Sequence, residues 1–199
     1  PRPMVISENL RCIFVHVQKT GGSSIEVALR QHDAAIPEKP HNARRHMGAR
    51  EIRTLVSPQA WNDHFKFAFV RNPWDRLVSW YFMCVQAPTP NAFGHYVKEH
   101  AKTFGDFVRN PQGMMERTTV PQMDYVADTD GRVLVDYVGR YESLHADYAE
   151  VGRRLGIGGM LPHANRSAHR PYQQYYDDTT RAIVAERFAR DIEAFGYTF

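Results

Sequence analysis

Between residues 11 and 32 the chain changes its hydrophobic period, and it does so across a pair of glycines. "RCIFVHV" (11–17) is a β-rich run, apolar enough for a buried strand. "QKTGG" interrupts it. "SSIEVALRQH" follows, with Ile25, Ala28 and Leu29 at helical spacing and Ser23 or Ser24 able to cap the start. A strand that feeds a helix through a short glycine turn is the repeating unit of an α/β fold.

The rest of the chain supports that class. "FKFAFV" (65–70) is a second strong strand. It ends at "RNPWDR" and passes into a helix whose apolar stripe is Trp74, Leu77, Val78, Tyr81, Phe82 and Val85. "RVLVDYVGRYE" (132–142) reads as a strand leaving a turn at Asp130 and Gly131. Helices are expected over 46–56, from Pro58, within 96–109 and over 143–155. A final amphipathic helix is marked by Val184, Phe188, Ile192 and Phe195, and loops fill 33–45, 86–94 and 156–171. The pattern predicts an α/β fold: a single domain over 1–199 with a mainly parallel central sheet flanked by helices.

Composition narrows the partners. With 43% apolar and 24% charged residues the chain reads as an ordinary soluble domain. A net charge of +3 without a dense Lys/Arg tract argues against nucleic acid as the partner. No run approaches the length of a membrane span, and the N-terminus lacks a signal-peptide layout, so a cytoplasmic location is expected. Cys12 and Cys84 lie in separate apolar stretches and are expected as buried free thiols; no Cys/His spacing suggests zinc.

The glycine turn has chemistry of its own. A strand–turn–helix layout aims backbone N–H groups and the positive end of a helix dipole at one spot. Gly21 and Gly22 admit a close ligand, Lys19 adds charge, and Thr20, Ser23 and Ser24 add neutral donors. An anion fits; a tight turn with a solvated lysine is the alternative. The lysine precedes the glycines, so this is not the GxxxxGK[ST] loop of nucleoside triphosphatases. A second turn repeats the layout, with Arg71 at a strand end and Arg76 and Ser79 in the first helical turns. Arg71 suits phosphate through its two-pronged guanidinium, unless it pairs with Asp75 while Asn72 caps the helix. Parallel strand ends gather at one sheet edge, about 4.8 Å apart, so both turns can grip one ligand bearing two separated anionic groups.

Here the chain resembles a known family. "FVHVQKTGGSS" is similar to the 5′-phosphosulfate loop of sulfotransferases, and "FAFVRNPWDRLVSWY" to their 3′-phosphate motif. The resemblance is nearest to the carbohydrate branch that includes the heparan sulfate 2-O-sulfotransferases and small bacterial relatives. "VDYVGRYESL", "LPHANRS" and "DIEAFGYTF" add support. It implies a P-loop-like sulfotransferase fold and the donor 3′-phosphoadenosine 5′-phosphosulfate (PAPS), with no metal. The 5′-phosphosulfate would lie on residues 19–24 and the 3′-phosphate on Arg71 and Ser79. "NRSAHRPY" (165–172) is similar to the basic loop that covers the donor in relatives, with Arg166, Ser167 and Arg170 as its candidates.

Sulfuryl transfer, by analogy with phosphoryl transfer, needs in-line alignment and stabilisation of charge on the leaving oxygen. Lys19 is the candidate for that oxygen. The attacking hydroxyl, on a saccharide by the same resemblance, needs a base. In the 2-O-sulfotransferase branch a histidine base lies before the second phosphate strand, where "RRHMGAREIR" stands, which implies His46. His41 is the rival histidine, and Glu51 would serve if this branch used a glutamate; His16, within a strand, is expected to be packed and hydrogen-bonded. Arg44, Arg45, Arg50 and Arg53 suit an acidic saccharide or simply a solvated face, and Gln122 is a candidate contact to donor or acceptor. A nucleotide kinase or triphosphatase, and a non-catalytic nucleotide- or glycan-binding module, are the alternative functions.

Overall fold

The computed structural model describes residues 5–36, 45–159, 161–162 and 169–199. Along the chain run β1 (Val5–Ser7), β2 (Cys12–Val15), α1 (Gly22–His32), α2 (Ala49–Leu55), α3 (Pro58–Asp63) and β3 (Phe65–Val70). Then come α4 (Pro73–Gln86), α5 (Ala92–His100), α6 (Phe104–Arg109), a 3-10 turn (Gly113–Thr119), α7 (Met123–Val126) and β4 (Tyr137–Arg140). The chain closes with α8 (Leu144–Leu155), α9 (Asp178–Arg187) and α10 (Ala189–Phe195). Among the described residues no helix is long and apolar enough to cross a membrane.

The result is α/β, with a four-stranded mixed sheet in the order β1-β2-β3-β4. β2 pairs parallel with β3, and β3 parallel with β4; β1 joins β2 antiparallel. The sheet is therefore mainly parallel, as expected, with an antiparallel edge strand. β1 has only three residues, too few to carry a readable period. Its turn into β2 is closed by Arg11, which takes a left-handed φ of 47°.

The described residues fall into two compact units, one drawn from Pro1–Arg71 and Gln122–Asn165, the other from Asn72–Pro121 and Arg166–Phe199. The first holds the sheet. Its core joins Phe14, Phe67 and Phe69 of the strands to Ile25 and Leu29 of α1 and Tyr148 and Val151 of α8. The second is helical, and its core packs the apolar stripe of α4 against Phe93, Phe104, Phe107, Val184 and Phe188. Cys12 and Cys84 are buried thiols with no disulfide between them, and burial pushes the Cys12 thiol up to about 12.

Several boundaries differ from those the sequence predicts. Gly21, not a serine, is the N-cap of α1, and among the described residues its N-cap makes no side-chain capping bond. β4 is shorter than the apolar run 132–142. Residues 132–134 return instead on 126–128, where Leu134 N donates to Val126 O (2.8 Å) and Asp128 N to Arg132 O (2.9 Å). α2 begins at Ala49, leaving His46 in the turn before it. The final amphipathic helix is two, because Phe188 leaves the helical region at φ −111°, ψ 26° while its side chain stays in the core.

Candidate active site

Since β2, β3 and β4 run parallel, their C-terminal ends share one edge of the sheet. Three turns leave from it: residues 16–21 after β2, Arg71 after β3 and Tyr141 after β4. Arg71 is held on several sides. Its Nη1 donates to Lys19 O (3.2 Å), and its guanidinium lies 3.9 Å over the Tyr141 ring. Its backbone is clasped by the Gln122 side chain, whose Oε1 accepts from Arg71 N and whose Nε2 donates to Arg71 O, both at 2.8 Å. Gln122 is fully buried. The middle strand thus delivers a buried cation next to the glycine turn, as the parallel arrangement predicted.

The turn itself is tightly constrained. Lys19 adopts a left-handed φ of 69° and Gly21 one of 84°. Thr20 is buried and its hydroxyl donates to Val17 O (2.8 Å), tying the turn to the strand end. At Gly22 a Cβ would sit 2.1 Å from His16 Nε2, so only glycine lets α1 start against that ring. The positive end of the α1 dipole points into this turn, where the Ser24 N–H closes on Gly21 O (3.0 Å). Ser23 Oγ accepts from Arg45 Nη2 (3.0 Å), which turns the hydroxyl hydrogen away from Arg45 and leaves it to act as a donor.

Beneath the turn lies a buried ionic cluster. The Glu26 carboxylate, on α1, is 2% exposed. It accepts from His16 Nδ1 (2.6 Å), from Arg45 Nε (3.1 Å) and from Arg45 Nη2 (2.7 Å). Burial pushes Glu26 up, but the hydrogen bonds from His16 and Arg45 outweigh it and bring the carboxyl down to about 2. Burial lowers His16 despite its bond to Glu26, so the ring stays neutral with its proton on Nδ1. His16 is packed and hydrogen-bonded, as expected, just beyond the end of β2.

His46 completes the arrangement. Its Nδ1 lies 3.0 Å from His16 O. A carbonyl oxygen can only accept, so Nδ1 carries the hydrogen and Nε2 keeps a lone pair. Burial lowers His46 to about 3, which keeps it neutral at physiological pH. The two rings meet edge to face with centroids 4.5 Å apart. The lysine-bearing glycine turn and a histidine whose Nε2 keeps its lone pair are thereby fixed to the same few residues.

A model of the Sulfotransferase family matches residues 2–198. The chain belongs to the sulfotransferase family. It is also similar to an uncharacterized protein of Archaeoglobus fulgidus, 29% identical over 115 residues, which cover 56% of this chain and 83% of that protein.

The remaining predicted positions of this sulfotransferase are distributed as follows. Ser79 belongs to the second unit, buried on α4, where Asn72 caps the helix by accepting from Trp74 N (3.1 Å). Arg170 is also in the second unit, exposed, with its N–H donating to Tyr175 OH (3.0 Å). Arg166, Ser167, His41 and Arg44 lie outside the described residues. Glu51 is exposed and accepts from Gly48 N (2.9 Å), an N-terminal cap of α2 that gives this carboxylate a local structural duty. Gln122 is buried, with its side-chain amide clasping the Arg71 backbone. Sequence reasoning missed the roles of Glu26, Arg45 and Tyr141. The signal for Glu26 was a carboxylate beside Ile25 on the buried face of a helix, a place that demands a partner. For Tyr141 it was an aromatic directly after a parallel strand. Among the described residues no group of three or more His, Cys, Asp or Glu is arranged to hold a metal ion.

Proposed function

We propose that this sulfotransferase moves a sulfuryl group from PAPS to a carbohydrate hydroxyl, with His46 as base and Lys19 at the leaving oxygen. The observation that carries the reading is the contact of His46 Nδ1 with the His16 carbonyl beside the glycine turn, which leaves the lone pair on Nε2. As the acceptor oxygen bonds to sulfur, its proton passes to His46 Nε2. The bond from sulfur to the oxygen of the 5′-phosphate breaks, and that oxygen keeps the electron pair. Lys19 and the N–H groups at the start of α1 offset the charge arriving there.

The donor reading is supported by the chemistry of the residues. Thr20, Gly21, Gly22, Ser23 and Ser24 form the turn for the phosphosulfate, and Arg71 with Ser79 takes the 3′-phosphate. Arg166, Ser167 and Arg170 are carried over as donor contacts by the family resemblance alone. A saccharide acceptor is favoured by the family resemblance and by the exposed Arg50 and Arg53 on the helix that follows His46.

The test is a thermal melt with 3′,5′-ADP, the desulfated product, against ATP with Mg²⁺. At a hundredfold excess over its dissociation constant a ligand of the native state adds about 2.7 kcal/mol, or roughly 5–10 °C at this size. A rise with 3′,5′-ADP, followed by sulfate transfer to a saccharide panel, supports the reading. A rise with ATP alone overturns it.

A further inference from the structure

We infer that Glu26 is the positioning residue for His46, setting both its place and its tautomer through two arms, the Arg45 side chain and the His16 peptide. The inference rests on the reading of His46 as the base. Its starting point is that a carboxylate has been buried in α1, where an aliphatic side chain would pack at no electrostatic cost. What that carboxylate holds is therefore informative.

Arg45 precedes His46 in the chain, and its guanidinium meets both Glu26 oxygens, so the fork cannot rotate without breaking a bond. Fixing that side chain fixes the turn that carries His46. The same Arg45 Nη2 reaches Ser23 Oγ, which ties this turn to the anion turn. The second arm runs through His16. Glu26 anchors its ring at Nδ1, the ring packs against Gly22 and the edge of His46, and its carbonyl accepts the His46 Nδ1 hydrogen. One carboxylate thus controls both the residue before the base and the carbonyl that selects its tautomer. Through Ser23 it also sets the spacing between the base and the leaving-group side, to which in-line transfer is sensitive.

The test uses the full chain with ¹⁵N-labelled histidine, read by long-range ¹H–¹⁵N spectra near neutral pH, alongside transfer kinetics. In the unmodified protein His46 should appear neutral, protonated on Nδ1. In Glu26→Gln it should become a tautomer mixture, and kcat should fall about 10- to 100-fold, by analogy with the loss seen when outer partners of metal-ligating histidines are removed. KM for the donor should stay within about threefold, and the melting shift with 3′,5′-ADP should persist. Arg45→Lys keeps the charge but loses the fork, and should move the same readouts should Glu26→Gln not fold. In a His46→Ala background, Glu26→Gln should cost less than about twofold more, since a positioning residue has nothing left to position.

An Nε2-protonated His46 in the unmodified protein overturns the inference. So do variants with unchanged tautomer and kcat, or fully additive losses in the double variant. His46→Ala at the unmodified rate would instead reject the base assignment alone, and the tautomer measurement would still judge Glu26.

Discussion

Lys19 is held in the left-handed region, which costs a residue with a Cβ about 1–2 kcal/mol. Strain of this kind gathers where a side chain must stand at a particular place. Lys19→Gly relieves it and removes the charge together. The expected outcome is a Tm unchanged or raised by a few degrees, with transfer reduced about 10²- to 10³-fold. Lys19→Ala should lose the same activity without the relief. A Lys19→Gly protein that transfers at the unmodified rate would reject the role. His46→Ala should lose about 10²- to 10⁴-fold while keeping the melting shift with 3′,5′-ADP. At this scale residue types were legible: a lysine just before two glycines, between a strand and a helix, suits an anion. The αL conformation of Lys19 was not, because it comes from closing the path between β2 and α1, and glycine alone advertises that conformation in a sequence.

The element that most depends on its surroundings is the end of β3. Here the ladder stops and the Gln122 amide replaces a neighbouring strand, pairing with both backbone groups of Arg71. Gln122→Leu keeps the volume and leaves a buried N–H and a buried C=O without that partner. The expected cost is about 2–5 kcal/mol, a fall in Tm of roughly 5–15 °C, with weaker 3′,5′-ADP binding because Arg71 loses its anchor. Unchanged melting and binding would show that Arg71 is held by other means. The strands and helices with long, clear periods, β2, β3, α1 and α4, were legible. The short or locally paired pieces were not. β1 is too brief to show alternation, and residues 132–134 have strand composition but spend their hydrogen bonds on 126–128.

For the whole molecule, the buried histidines and Glu26 set the response to acid. Unfolded, His46 titrates near 6.5; folded, near 3. Between those values the unfolded chain binds more protons, so stability rises with pH and is lost on acidification. His46 alone is worth up to about 2 kcal/mol between pH 6.5 and 5, with His16 acting in the same direction. Glu26, lowered from 4.5 to about 2, stabilises fully above pH 4.5 and loses that contribution as pH falls toward 2. A Tm series should therefore fall by about 4–8 °C or more from pH 7 to 5, and His46→Asn should flatten it. A flat series in the unmodified protein would mean that these rings are not held neutral.

By itself the sequence determined the class of the fold, the two strand–turn–helix junctions and the residue types suited to an anion. Those follow from period and from local chemistry, which act over a few consecutive residues. It also marked His46, though only by resemblance. The tertiary structure decided how these pieces serve one another. Arg71 meets Tyr141 and Lys19 because parallel pairing brings distant turns to one edge, and Glu26 meets His16 and Arg45 because α1 packs against both. The tautomer of His46 was decided there as well. It depends on a carbonyl thirty residues away in the chain and 3.0 Å away in space, and a proton is placed by the nearest acceptor rather than by its neighbours in sequence.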